Sequence, residues 1–230
     1  DHELVAHIDD DCTLREERAA RRAPVRYLLS VGGAGAQIDL FERIIAHLVP
    51  RIEAGEAVLF VNVGDHDRAW RSLVARIPAL DAAVVHSGDF EATARFAEGA
   101  LTGSVEGVHA FYDSDIFSAV YSTNLLMRAC DLLITKPSEL SFYPVPKLMI
   151  QRVGGHEAWG AVRAAEVGDG TYEMDDRREI CAFIDSVQED PSILARMCAH
   201  IRAARDAGIY DGAYRVVDLA VHGLDSTFAR

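Results

Sequence analysis

Short apolar segments alternate with amphipathic ones over the first two thirds of the chain, and this alternation constrains the fold most strongly. The apolar segments typical of strands are 26–31, 57–63, 82–86, 108–112, 131–135 and 147–150. Amphipathic segments lie between them near 38–53, 66–76, 90–100 and 115–129. Parallel strands need crossovers of this length. The pattern predicts an α/β fold, a Rossmann-like doubly wound parallel sheet of about six strands with helices on both faces.

Both ends of the chain depart from this central pattern. Beyond Glu157 the pattern is mainly helical, with helices expected near 157–166, 176–188, 191–206 and 211–222. Residues 1–24 are densely charged and weakly periodic, which is typical of a linker or a solvated helix. We therefore expect a linker or interdomain leader at 1–24 and one folded domain at 25–230.

Composition excludes two classes of partner. The formal net charge of -13 would repel a nucleic-acid backbone, and the chain has no dense Lys/Arg run, so we expect no nucleic-acid partner. No apolar run approaches the roughly 20 residues that span a bilayer, and Asp1-His2-Glu3 does not resemble a signal peptide. The sequence gives no direct membrane signal, and we expect a cytoplasmic protein.

Cysteines and histidines are spread without the spacing of a metal site. Cys12, Cys130, Cys181 and Cys198 lie far apart in the sequence, which favours buried thiols in a reducing compartment over a disulfide scaffold. The histidines are equally scattered, so we expect no metal site built by protein side chains.

A glycine-rich turn follows the first predicted strand and precedes an amphipathic helix. It comprises Gly32, Gly33, Ala34 and Gly35 and leads to Gln37 at the start of that helix. Small residues allow a ligand to approach the main chain, and a helix N-terminus favours negative charge. The same pattern is also that of a simple tight turn, so the turn alone leaves phosphate binding and a structural role both open.

Two further loops are expected at the same edge of the sheet. Lys136, Ser138 and Glu139 follow the predicted strand 131–135, and 153–157 follows the strand that ends at Ile150. In an open doubly wound sheet, ligands bind beyond the carboxyl ends of the strands. We therefore expect the three loops to meet around one crevice that offers backbone donors, a cation, a carboxylate and an imidazole.

The order of these segments resembles the C-terminal domain of GT-B glycosyltransferases. It is most similar to the peptidoglycan N-acetylglucosaminyltransferase and to the monogalactosyl and monoglucosyl diacylglycerol synthases. The residues that carry the resemblance are the glycine turn, Phe111-Tyr112-Asp113, the run 129–137 and Gly154-Gly155-His156-Glu157. The resemblance covers about residues 25–222, nearly the whole chain.

This resemblance implies a domain that binds a nucleotide diphosphate sugar, usually a UDP-sugar, for transfer with inversion. The acceptor would belong to a separate N-terminal domain, so the chain would be half of an enzyme, and 1–24 would be the end of the interdomain linker. The donor is a substrate, and no cofactor is implied. The catalytic base of the family lies in the other domain, so the resemblance assigns no catalytic residue here.

The resemblance also assigns binding roles to individual residues. The glycine turn through Gln37 would face the diphosphate, and the backbone at Phe111 and Tyr112 would read the base. Glu139 would accept hydrogen bonds from the ribose hydroxyls. The remaining positions would form the rest of the pocket, with the last two at its sugar and phosphate end: Lys136, Ser138, Gly155, His156 and Glu157.

The sequence departs from the family pattern after Lys136. The loop before Glu139 is about five residues short, and Pro144 stands where the family has a helix of small residues. This departure leaves open an altered donor and a lost activity. Two alternatives therefore stay open, a non-catalytic interaction or regulatory domain that retains the half-fold, and a relative of sugar-nucleotide epimerases or hydrolases. Lys136 and Glu139 are also compatible with a solvated surface pair.

Overall fold

The computed structural model describes residues 2–31 and 37–223, whose six strands form one parallel sheet. The strands are Val25–Ser30 (β1), Ala57–Asn62 (β2), Val84–Ser87 (β3), Gly107–Tyr112 (β4), Leu132–Thr135 (β5) and Lys147–Met149 (β6). Their order across the sheet is β3-β4-β2-β1-β5-β6. The predicted α/β class, the parallel sheet and its six strands are confirmed.

Helices connect the strands and then cover the end of the chain. They are His2–Ala6 (α1), Ile8–Ala20 (α2), Ile38–Glu53 (α3), Asp67–Arg76 (α4), Phe90–Thr102 (α5), Ile116–Ala129 (α6), Ala158–Val167 (α7), Arg177–Glu189 (α8), Ser192–Asp206 (α9) and Gly212–His222 (α10). Short 3₁₀ turns occupy Pro78–Ala82, Glu139–Phe142 and Gly155–Glu157. The first of these turns delays β3, which starts two residues later than the sequence pattern predicts.

The sheet is buried on both faces, as its strand β1 illustrates. Tyr27 and Leu29 belong to an apolar cluster with residues of α3, α4 and α8, whereas Leu28 belongs to another with residues of α5 and α6. All three side chains are fully buried. A strand covered on both faces reads as a continuous apolar run because both of its side-chain rows face helices.

Residues 2–20 form two helices that pack against the domain. Leu4, Ile8 and Cys12 are buried, and Cys12 lies in a small cluster with Cys198 of α9. The boundary at residue 24 stays a prediction, but the segment is not a fully solvated helix, because one of its faces is covered.

Arg15 fixes α2 to the end of α6. Its guanidinium is buried and donates hydrogen bonds from Nη2 to the carbonyl of Met127 at 2.8 Å and from Nε to the carbonyl of Cys130 at 2.9 Å. These carbonyls lie at the C-terminus of α6, where a helix favours positive charge. The buried cation thus attaches the N-terminal helices to the element that leads into β5.

The cysteines are free thiols in the structure. Cys12, Cys130 and Cys198 are buried, as expected, and Cys181 is half-buried. Burial raises the pKa of the Cys130 thiol to about 12, so this thiol is neutral at physiological pH.

Strand order places a switch point between β1 and β5. From β1 the chain crosses to β2 on one side, and from β4 it crosses back over the sheet to β5 on the other side. Ligands of doubly wound sheets bind at such a point, beyond the carboxyl ends of the strands. The loops that leave β1, β5 and β6 are therefore the ones that position a candidate site.

A neutral histidine pair lies between β3 and β4. Nε2 of His86 is 3.1 Å from Nδ1 of His109, whose Nε2 donates to the carbonyl of Glu106 at 3.1 Å. The His86 ring also stacks on Phe111, with centroids 4.6 Å apart. Burial, together with the neighbouring imidazole, lowers the pKa of His86 to about 4.

Replacing Arg15 by Met should lower the free energy of unfolding by about 3 kcal/mol, because two buried carbonyls lose their donor. Arg21→Met, directly after the same helix, is the matched control, since Arg21 is exposed and pairs with Glu17 at 3.1 Å. Urea unfolding followed by circular dichroism measures both variants. Equal effects of the two substitutions would contradict the anchoring role of Arg15.

Acidification should destabilise the fold through His86. Its pKa lies below the unfolded value of about 6.5, so the unfolded chain binds the proton first. The contribution is complete above about pH 6.5 and is lost as the pH falls toward 4. His86→Phe, which keeps an aromatic ring against Phe111, should show a smaller loss of stability between pH 7 and pH 5. An unchanged pH dependence in this variant would refute the assignment.

Candidate functional site

Described residues from the loops after β1, β5 and β6 contact one another at the carboxyl edge of the sheet. The side-chain amide of Gln37, at the start of α3, donates to the backbone carbonyl of Gln151, two residues after β6. The ammonium of Lys136, directly after β5, contacts the carboxylate of Glu157. We call the loops after these three strands the edge loops.

Glu157 is the centre of the contacts between the β5 and β6 loops. Its Oε1 pairs with Lys136, while Oε2 accepts hydrogen bonds from the backbone N–H groups of Val153 at 2.9 Å and Gly154 at 3.1 Å. The two charged side chains are 16% and 10% exposed, so the pair is largely withdrawn from water. Burial opposes ionisation of Glu157, but Lys136 and the two N–H donors outweigh it and lower its pKa.

This pairing changes what Lys136 offers to a ligand. An ammonium has three N–H donors, and Glu157 takes up only part of that capacity. The carboxylate also reduces the local positive charge, so the pair attracts an anion less strongly than an isolated lysine would. The lysine is held in place because the carboxylate that binds it is itself fixed by two backbone groups.

The glycine turn itself, Gly32, Gly33, Ala34 and Gly35, lies outside the described residues. Its flanks are described. The N–H of Val31 donates to the carbonyl of Asn62 at 2.8 Å, and the carbonyl of Gln37 accepts the N–H groups of Leu40 and Phe41. Helix α3 thus begins beside the β6 loop, and its N-terminus adjoins the edge loops.

Phe111 and Tyr112 occupy different environments at the end of β4. The Phe111 side chain is buried and stacks on His86, so it is part of the core. Its carbonyl accepts the N–H of Val63 at 3.0 Å, and Tyr112 is partly buried against the opposite face of the sheet. Neither side chain is positioned by the described contacts toward Lys136.

Ser138 and Glu139 begin the 3₁₀ turn after β5. The hydroxyl of Ser138 accepts the N–H of Leu140 at 3.3 Å, while the Ser141 hydroxyl accepts the N–H of Ser138 at 3.2 Å. These reciprocal bonds form a capping box. The serine therefore has a structural role in this turn.

Glu139 is exposed and lines a surface cavity of about 380 Å³ together with Tyr143, Arg163 and Tyr210. Lys136 and Glu157 are not among the described residues that line it. The structure thus pairs Lys136 with Glu157 and sets Gln37 against the β6 loop, but it places Glu139 at a cavity that none of these three lines.

Gly155 and His156 lie in the 3₁₀ turn that precedes α7. Both are exposed, and the His156 ring lies against Gly154, because a Cβ added to that glycine would be 2.6 Å from Cε1 of the ring. The side chain that caps this turn is that of Glu157, which accepts the N–H of Gly154. Among the described contacts, His156 makes no cap bond to the turn or to α7, so the helix-capping role considered for it is not seen.

Two features of this edge have weak sequence signals. Gln151 carries no motif, and only its place two residues after β6 points to it. Asp65, His66 and Asp67 follow β2 and line a cavity of about 530 Å³ that Ile38 of α3 also borders. Their position at the sheet edge was predictable from the strand pattern, but the cavity was not, because it depends on how α3 and α4 pack.

The described part of the chain holds neither a metal-binding cluster nor a membrane-spanning helix. Within 2–31 and 37–223, no three His, Cys, Asp or Glu side chains are grouped so that they could hold a metal ion. Over the same residues, no helix has both the length and the apolar character needed to cross a membrane.

Glu157→Ala should free the backbone of the β6 loop. We expect the amide hydrogens of Val153 and Gly154 to exchange about 10-fold faster or more, since each loses a charge-assisted hydrogen bond. Glu173→Ala is the matched control, because Glu173 accepts the N–H of Arg152 at 2.9 Å, one residue away. Unchanged hydrogen exchange at Val153 and Gly154 in Glu157→Ala would show that Glu157 does not hold the backbone of the β6 loop.

Comparison with known proteins gives a family and distant structural likenesses. The C-terminal CMP-Kdo binding domain of WaaA from Acinetobacter baumannii aligns with a TM-score of 0.48 and 12% sequence identity, covering 86% of this chain and 97% of that one. This likeness is too distant to carry a ligand or a site from one chain to the other.

No curated protein matches the sequence. The resemblance to the peptidoglycan and diacylglycerol enzymes therefore stays a prediction. The model of the family described as Domain of unknown function (DUF6938) matches residues 1–221, which is nearly the whole chain. The chain belongs to this family.

Proposed function

We propose that the edge loops bind a nucleotide diphosphate sugar and that the chain is the donor-binding half of an inverting glycosyltransferase. The observation that carries the proposal is the contact of Gln37 with Gln151 and of Lys136 with Glu157. Through these contacts, the described parts of all three edge loops adjoin one another at the switch point of the sheet, where ligands of such folds bind.

The chemistry of these loops suits a diphosphate. The N-terminus of α3 supplies partial positive charge, and Lys136 retains N–H donors beyond the one that reaches Glu157. His156 is exposed on the neighbouring turn and offers a further ring nitrogen. Together they would stabilise the charge that develops on a leaving diphosphate, with no proton transfer required of this half.

The finer parts of the proposal come from the family resemblance. These are a UDP-sugar as donor, inversion at the anomeric carbon, and an acceptor and catalytic base on a separate N-terminal domain. The cytoplasmic location, also part of the proposal, rests on the scattered cysteines and on the sequence's lack of a membrane signal. In this account the chain positions the anomeric carbon at the cleft between the two halves, and positioning provides much of the rate. An epimerase or hydrolase relative is distinguished by release of free UDP from UDP-GlcNAc without an acceptor.

One observation favours a second function, a non-catalytic interaction or regulatory domain. Glu157 pairs with Lys136 and accepts hydrogen bonds from two N–H groups of the β6 loop. Its carboxylate thus competes with a bound anion for these groups. Glu139, which the resemblance assigns to the ribose, lines a cavity to which neither Lys136 nor Glu157 contributes. A domain that no longer binds a sugar donor would show these two features, and it would remain folded without binding nucleotides.

Calorimetry with UDP, UDP-GlcNAc, CMP and inorganic pyrophosphate tests the proposal. Lys136→Met should weaken binding of the diphosphates about 10-fold or more, because a charge-assisted hydrogen bond is lost. Arg196→Met on α9 is the control for loss of one positive charge, since its side chain is 62% exposed and pairs with Asp190, outside these loops. A folded protein that binds none of the four ligands would refute the donor-binding function and support the second one.

Glu139→Ala separates two parts of the same proposal. If Glu139 holds the ribose, this variant should bind UDP more weakly and pyrophosphate as tightly as the unsubstituted chain does. Equal affinity of both proteins for UDP would remove Glu139 from the site and leave the diphosphate contacts in place.

A further inference from the structure

Trp159 is an exposed aromatic side chain at the edge loops. At 77% exposed, it is the most exposed of the large apolar side chains in the described part of the chain. It lies in the first turn of α7, two residues after Glu157. Val153, at the other end of the same loop, is 58% exposed. The β6 loop, which carries Glu157 and His156, is thus bordered by apolar surface.

Packing of α7 keeps Trp159 out of the core. Gly160 lies against the β5 loop so closely that an added Cβ would be 2.6 Å from Oγ of Ser141 and 3.5 Å from Cβ of Pro137. Ala161 and Ala164 are buried on the same helix. Because this face of α7 is fixed against the domain, Trp159 cannot turn inward without breaking that packing.

The neighbouring backbone holds the tryptophan in a defined place. Glu157 is fixed by Lys136 and by the N–H groups of Val153 and Gly154. A large flat side chain is therefore presented to solvent on a braced turn. Leaving an indole in water forgoes the free energy of its burial, and indoles are well suited to binding flat rings.

We propose that Trp159 is a stacking residue of the site, whose indole face packs against a flat ring of the bound ligand. This inference rests on the proposed function and adds a specificity residue to it. The ring is either the nucleobase, which is planar, or the sugar, whose C–H groups form an apolar face. Either one can pack against an indole. Lys136 and the N-terminus of α3 hold the charged part of the ligand, and Trp159 holds the uncharged part.

Fluorescence tests the proposal directly because the chain has only two tryptophans. Trp70 is buried in the core, whereas Trp159 is exposed, so ligand-induced changes can be assigned by comparison with Trp159→Ala. The unsubstituted chain is titrated with UDP, UDP-GlcNAc, N-acetylglucosamine 1-phosphate and inorganic pyrophosphate. We expect ring-bearing ligands to change the emission and pyrophosphate to leave it unchanged.

The pattern of responses identifies the ring. A change with UDP assigns the nucleobase, and a change only with the two ligands that contain the sugar assigns the sugar. Trp159→Ala should weaken binding of the ring-bearing ligand that responds by about 10-fold in calorimetry and leave pyrophosphate affinity unchanged. Tyr214→Ala on α10 is the control for loss of an exposed aromatic ring, because Tyr214 is 50% exposed.

The two proposals fail in different ways. Absence of any calorimetric binding overturns the proposed function and this inference with it. Calorimetric binding of UDP and UDP-GlcNAc, with silent fluorescence and unchanged affinity in Trp159→Ala, overturns the stacking role alone. Partial recovery of affinity in Trp159→Phe supports stacking, because the smaller ring retains a flat face.

Discussion

The ion pair between Lys136 and Glu157 joins the loops that leave β5 and β6, and the candidate site depends on it. The carboxylate also holds two N–H groups of the β6 loop, so one side chain fixes both the backbone and the cation. The same interaction weakens the attraction of the site for an anion, since the Glu157 carboxylate neutralises part of the positive charge of Lys136. Binding of a diphosphate would therefore have to draw on the remaining donors of Lys136 and on the N-terminus of α3.

Much of the fold follows from local patterns in the sequence. Segments such as 57–63 predict their strands because a central parallel strand is apolar on both faces. The helices between them follow from their amphipathic period. The docking of residues 2–20 could not be predicted, because it depends on buried Arg15 and on carbonyls of α6 more than a hundred residues away. The dense charge of residues 2–20 predicted exposure to solvent, because only a few apolar residues, such as Leu4, Ile8 and Cys12, mark the covered face.

The site was predictable in its location but not in its contacts. Parallel strands bring their carboxyl ends to one edge, which is why Lys136 and Glu157 lie near Gln37 and Gln151. Which side chains pair depends on the path of each loop, and no local pattern encodes it. The 3₁₀ turn after Ser138 thus places Glu139 at a surface cavity that Lys136 and Glu157 do not line. The family resemblance would instead place Glu139 at the ribose.

Protection of Lys136 from an amine-selective acylating reagent tests the central claim most directly. The chain has two lysines, and Lys147 is fully buried in an ion pair with Asp169 at 2.7 Å, so it serves as an internal reference for unfolding. Peptide mass spectrometry then reports the acylation rate of each lysine separately. The account predicts that UDP and pyrophosphate slow acylation of Lys136 in a saturable manner while Lys147 stays unreactive. An acylation rate at Lys136 that does not change at millimolar concentrations of either ligand would contradict it.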